Sequence, residues 1–157
     1  MAEEKRKFDL TNADVHRKVD GLVALGQDPT TPFALAFRCT RNHRILEPLS
    51  KASYDVRENI GRAFAEKTEE GEPRQVELPG QAGTYMWDIP AEKQAKYNKA
   101  MREHMDEVNK DVELYMVHSA AFRGVKEIAG NILFAIFDMI EDPDKLEAMF
   151  PLEETKQ

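Results

Sequence analysis

The chain has one cysteine and one tryptophan in 157 residues, and no long apolar run. A single thiol, Cys39, cannot form an internal disulfide, which fits a reducing compartment. The longest strongly apolar stretch, residues 132–140, is broken by Asp138 and falls well short of the ~20 residues that a membrane helix needs. The opening Met-Ala-Glu-Glu-Lys-Arg-Lys has no apolar segment of the signal-peptide kind. These absences predict a cytoplasmic protein with no membrane partner. HExxH, CxxC, GxSxG, P-loop and GxGxxG patterns are also missing, so no metal, nucleophile or nucleotide motif is present and no cofactor is expected.

What is present is charge and helical periodicity. Charged residues make up 32% of the chain and apolar ones 41%, a mixture that suits a soluble protein with much exposed helix. The length suits one domain, residues 1–157, with a thin core and with residues 1–5 and 152–157 frayed. The net charge of −7 is unevenly placed. Residues 138–157 hold seven acids against Lys145 and Lys156, and residues 66–72 hold four acids against Lys67. An acidic tail and an acidic helix end argue against nonspecific nucleic-acid binding.

The pattern predicts a long helix over 32–67, a β-hairpin, and a second helix over 90–110 coming back. Phe33, Phe37, Ile45, Leu49, Val56, Ile60 and Phe64 form the first stripe, widened by Leu35, Leu46 and Ala52 and facing Tyr97, Met101, Met105 and Val108. Pro48 interrupts the first helix and predicts a kink near residues 44–47, or two helices in series, the kept phase of the stripe favouring one kinked helix. The hairpin is 75–78, a glycine-containing turn at 79–83, and 84–89, with Tyr85 and Trp87 as anchors. Ahead of this, Thr11 or Asn12 caps a helix ending near Gly26, after a short strand at 7–10. Residues 111–118 alternate as a strand, with continued helix as the other reading; a strand there would pair with 7–10. Residues 124–141 predict a closing helix, apolar round much of its girth and hence the most buried. A last short helix is expected at 145–150. The fold class is therefore α+β, mostly α: a long antiparallel helical hairpin with an inserted β-hairpin, closed by a small antiparallel sheet and a buried C-terminal helix.

Chemistry-bearing candidates are few. Arg38, Arg41 and Arg44 recur at i, i+3, i+6 and make a basic ridge that could hold phosphates or an acidic partner. The plainer reading is a solvated face or pairing with the chain's own acids. His43 and Glu47 are an i,i+4 pair, more ordinary as a surface pair than as metal ligands. Cys39 lacks a nearby base and oxyanion site and reads as a packed residue. The acidic end, with Leu146, Met149, Phe150 and Leu152, either closes the core or docks in a partner's groove.

The order of elements carries a resemblance. The segments KFDLTNADVHRKVDGLVAL, FALAFRCTRNHRILEPL, IPAEKQAKYNKAMREHMDEVNKDVELYMV and IAGNILFAIFDMIED, spanning about residues 8–142, resemble a family of small bacteriophage and prophage proteins that carries only a domain-of-unknown-function label. The resemblance implies a phage context and no mechanism. Pro48 and the aromatic hairpin depart from that pattern. Helix, hairpin, helix is also similar to the plan of a prefoldin β subunit, which implies assembly through hairpins, although the end units lie outside that plan.

The expectation is a non-enzymatic interaction or assembly protein, phage-encoded, that binds a viral or host protein. Its binding residues would be Arg38, Arg41, Arg44, Tyr85 and Trp87, because aromatics and arginines anchor interfaces. A homo-oligomer is expected, a dimer above other states. The alternatives are a nucleic-acid or nucleotide-binding module using the arginine ridge, and a small enzyme with a site near His43 or Cys39.

Overall fold

A computed structural model describes residues 3–150. Its elements in order are β1 (Lys5–Thr11), α1 (Asn12–Gln27), α2 (Phe33–Phe64), β2 (Gln75–Glu77), β3 (Tyr85–Trp87), α3 (Ala91–Asp106), β4 (Val108–Tyr115), α4 (Gly130–Ile136) and α5 (Pro143–Met149). The fold is α+β and mostly α, as the periodicity predicts. Among the described residues, no helix is long and apolar enough to cross a membrane. The chain forms two compact units, one of residues up to Ser50 and from Val108 onward, the other of Lys51–Glu107.

In the first unit, β1 pairs antiparallel with β4. The strand reading of 111–118 holds as far as Tyr115, and its pairing with 7–10 holds; the strand begins earlier, at Val108, and residues 116–118 lie beyond its end. The register slips between Phe8 and Leu10. Asp111 takes a left-handed φ of 54° there, and its N–H donates to the Asp9 carboxylate at 3.0 Å. Asp tolerates that conformation because its short side chain costs little there. The bulge re-phases the alternation, so Val112 and Leu114 point inward below it and Leu10 points inward on the partner strand.

Thr11 starts α1 with a capping box. Its hydroxyl accepts from the Asp14 N–H, and the Asp14 carboxylate accepts from the Thr11 N–H, both at 3.0 Å. Gly21 lets α1 approach α4 closely: a Cβ there would stand 2.9 Å from the Ala135 Cβ. Lys18 is buried beside it, donating to the Ala135 carbonyl at 3.0 Å and pairing with Asp138. The lysine thus supplies a donor at the end of α4, where helix carbonyls run out of intrahelical partners in general. The core gathers Leu10, Val15, Leu22, Leu35, Leu46, Leu114, Phe122, Ile136 and Met139.

Two sequence expectations are corrected here. Residues 124–129 are not helical, because Gly124 sits at φ +91° and Ala129 caps α4 in an extended conformation. Val125 and Ile128 still pack against the core, which is why they looked like a helical stripe. The helix that does form is shorter and leaves Phe134 69% exposed, so it is not buried all round. The last helix begins at Pro143, and Asp142 ahead of it accepts from the Ser119 N–H (2.9 Å) and hydroxyl (2.8 Å). Those bonds hold the Asp142 carboxyl down at about 2. Leu152 and the acids at 153–154 lie outside the described residues, as does the fraying expected at 152–157; at the other end the fraying expected over 1–5 is corrected at Lys5, which opens β1 opposite Tyr115.

The helix α2 runs unbroken through Pro48, in the first unit, and its part from Lys51 to Phe64 belongs to the second. Its last turns pair with α3 in antiparallel sense, Ser53 with His104 and Phe64 with Tyr97. The helix α3 stops at Asp106, short of the expected 110. Glu107 turns extended at φ −60°, ψ 135°, and the chain enters β4, leaving Val108 exposed rather than on a helical stripe. The hairpin forms where the alternation placed it, with Gln75 opposite Trp87, Val76 opposite Met86 and Glu77 opposite Tyr85. Gly80 and Gly83 both take positive φ in its turn. Trp87 anchors the hairpin by lying against Gly61 of α2, where an added Cβ would overlap the indole.

That contact generates a test. Ala is a better helix former than Gly by about 1 kcal/mol, yet Gly61→Ala should destabilise the unit by about 1–3 kcal/mol through overpacking. Trp87 is the chain's one tryptophan, so urea denaturation followed by its emission reads this unit directly. A more stable variant would show that the indole does not sit on Gly61.

Candidate protein-binding surface

The first half of α2 determines what this surface can be. At 3.6 residues per turn, Leu35, Cys39, Asn42 and Leu46 fall on one side, and Phe33, Phe37, Arg41 and Arg44 on nearly the opposite side. The structure buries the first set completely. Phe33 is left 82% exposed and Phe37 49% exposed. The predicted packing stripe is therefore corrected: Phe37 and Val56 face solvent, and Ile45, Leu49 and Ile60 are half-buried. The phase is set by a polar residue, Asn42, at the centre of the buried side.

Asn42 is fully buried and binds the backbone of Tyr115 twice. Its amide Nδ2 donates to the Tyr115 carbonyl, and its Oδ1 accepts from the Tyr115 N–H, each at 2.8 Å. Tyr115 lies opposite Lys5 in the sheet, with its N–H and C=O turned away from β1. Asn42 thus acts as a one-residue extra strand, satisfying a β4 edge that would otherwise be buried unpaired.

With its backbone fixed, the Tyr115 ring gathers cations. The Arg41 guanidinium lies 3.9 Å from its centroid, the Lys5 ammonium 4.5 Å and the Arg38 guanidinium 5.4 Å. The ring's negative faces attract all three. Arg41 Nη2 also donates to the phenol oxygen at 2.6 Å. Against these charges stands the Glu3 carboxylate, which pairs with Arg41 and lies 3.4 Å from Arg38 Nη1. That Arg38 nitrogen is buried and has no hydrogen-bond partner among the described residues. Beside the cluster, the Phe33 and Phe37 rings stack at 5.9 Å, and Arg41 lies 5.7 Å from the Phe37 ring.

The structure therefore brings Arg38 and Arg41 together over Tyr115. Arg44 is exposed and makes no ion pair with another described residue. Tyr85, 61% exposed, and Trp87, half-buried, belong to the other unit and form no part of this surface. Sequence reading missed Phe33, Tyr115, Lys5, Glu3 and Asn42. A signal existed for Phe33 and Phe37: they share a helical face with Arg41 and Arg44, which is an unusual composition for a core stripe.

Other candidate chemistry is weak. Cys39 is fully buried, and burial pushes its thiol up to about 12, so it holds no thiolate at neutral pH. His43 is half-buried beside Leu22, Val23 and Thr40. A cavity of about 600 Å³ lies between Asp28 and residues 124–129. Its Asp28 carboxylate is already satisfied by the Thr30 hydroxyl and N–H, which lower its pKa, the opposite of what a general base needs. Comparison with protein families, with curated proteins and with solved structures found no match for this chain.

The Asn42 bracket yields a stability prediction. Asn42→Leu strands two buried backbone groups, each costing about 1–3 kcal/mol. Chemical denaturation of the variant should show a loss in that range or larger, whereas a change below about 0.5 kcal/mol would mean that solvent, not Asn42, satisfies Tyr115.

Proposed function

We propose that this chain is a non-enzymatic interaction or assembly protein that binds another protein through the Phe33, Phe37, Arg41 and Tyr115 surface. The observation that carries this reading is the stacked, solvent-facing Phe33–Phe37 pair beside three cations with one carboxylate among them. Exposed large aromatics next to arginine are what interface centres are enriched in. The complementary partner is a protein with an apolar groove rimmed by carboxylates, because the surface offers two rings and excess positive charge. The element order resembling phage and prophage proteins supports a phage-encoded role in the host cytoplasm, on a viral or host partner.

A second reading has its own support. Stacked exposed rings beside arginines are also how single-stranded nucleic acids are held. The net charge of −7 and the Glu3 carboxylate within the cluster weigh against it.

Phe33→Ala/Phe37→Ala removes exposed side chains and should leave the fold intact. Captured from host lysate on the tagged chain, the partner should bind at least tenfold more weakly to this variant and to Arg41→Ala. Lys99→Ala, an exposed change in the other unit, should bind as the parent does. Equal capture by all four proteins would refute the assignment. Anisotropy of a labelled oligonucleotide at 50 mM and 200 mM salt separates the second reading, which requires a steep salt dependence.

A further inference from the structure

The second unit is short of core. Among its residues, Lys51–Glu107, the buried ones are Ser53, Gly61, Ala65 and His104, none of them a large apolar side chain. Meanwhile Tyr85 is 61% exposed, Met86 46% and Val76 37%. A two-stranded hairpin of this kind is marginal by itself in water.

Its hydrogen-bond phase shows where a further strand fits. The Leu78 N–H donates to the Thr84 carbonyl at 2.7 Å, and the Asp88 N–H to the Arg74 carbonyl at 3.0 Å. Bonded pairs alternate in an antiparallel ladder, so Met86 is the residue of β3 that bonds to β2. Tyr85 and Trp87 then turn their N–H and C=O groups outward, away from β2. Edges of this kind are normally protected by a charge, a proline or a bulge. The outer strand here is Tyr-Met-Trp, with none of the three.

We infer that a second copy of this chain pairs with the outer edge of β3, antiparallel, about a two-fold axis at Met86. In that register Tyr85 of each copy faces Trp87 of the other and exchanges both backbone bonds with it. All outward groups of both strands are then satisfied, in a four-stranded sheet ordered β2-β3-β3-β2. The edge is self-complementary because it carries no charge to repel its own copy, and Tyr opposite Trp is a favourable cross-strand aromatic pair. Met86 meets its own equivalent as a non-bonded pair, where Cα atoms approach to about 4.5 Å. The second copy is favoured over a foreign strand because one register, centred on Met86, matches every edge group to a different one.

The self-pairing of Met86 makes the test specific. Size exclusion with light scattering should show a dimer for the parent chain. Met86→Lys and Met86→Glu should each weaken it at least tenfold by placing like charges face to face, with far-UV circular dichroism and its thermal transition checking the fold. An equimolar mixture of the two variants should restore the dimer. Met86→Cys should form a disulfide-linked dimer on mild oxidation, since 4.5 Å lies within disulfide reach and Cys39 is buried. Phe33→Ala/Phe37→Ala should leave the dimer unchanged, which separates this claim from the one about the first unit. A monomeric parent chain, a dimer that survives Met86→Lys, or a mixture that stays monomeric would each overturn the inference.

Discussion

Two hydrogen bonds from one buried amide set the geometry of the first unit. Asn42 places its carboxamide against the outer edge of β4 and binds the Tyr115 N–H and C=O together. A polar side chain at the centre of a buried helical face is costly unless every group is paired. Here the pairing also decides which way α2 is rotated. Once Asn42 faces the sheet, Leu35, Cys39 and Leu46 follow it inward, and Phe33, Phe37 and Arg44 are carried outward. The cation cluster on Tyr115 and the exposed ring pair are both results of that rotation.

The two units are stabilised differently. The first has a contiguous apolar core from α1, α2, β4 and α4, reinforced by a capping box, a β-bulge and the buried Lys18. The second depends on specific fits: an indole on a helix glycine, a serine–histidine hydrogen bond, and an Arg74–Asp88 pair across the hairpin base. Exposed ion pairs contribute little on their own, so the indole contact and the hydrogen-bonded His104 are the stronger features there. A unit built this way leaves Val76, Tyr85 and Met86 exposed, whereas the first unit presents a mixed aromatic and cationic face.

What the sequence disclosed was mostly local. Thr11 or Asn12 as a helix cap, the alternation at Val76 and at Tyr85–Trp87, and the Val112–Leu114 pattern each report a nearby backbone state, and the structure has those elements, with Thr11 as the cap. Pro48 did not divide its helix. The misplaced features depend on distant partners. The rotation of α2 follows from a backbone edge 73 residues away, and no apolar count on the helix itself points to Asn42 as its buried centre. Residues 125–129 looked helical because Val125 and Ile128 are apolar at helical spacing; after Gly124 at positive φ they follow a non-helical path that packs the same side chains on the core. The arginine ridge was legible as a basic surface, but the tyrosine that organises it comes from another element.

Asn42 and Tyr115 form the joint on which the proposed binding face rests. Amide hydrogen exchange at Tyr115 in the native chain tests it most directly. The Tyr115 N–H points away from β1, so the sheet itself gives it no protection. In the native chain it should exchange as slowly as the Met116 N–H, which bonds to the Glu4 carbonyl at 2.9 Å, and in Asn42→Ala it should exchange fast while Met116 stays protected. A Tyr115 amide that exchanges at the rate of an unstructured chain in the native protein would contradict it.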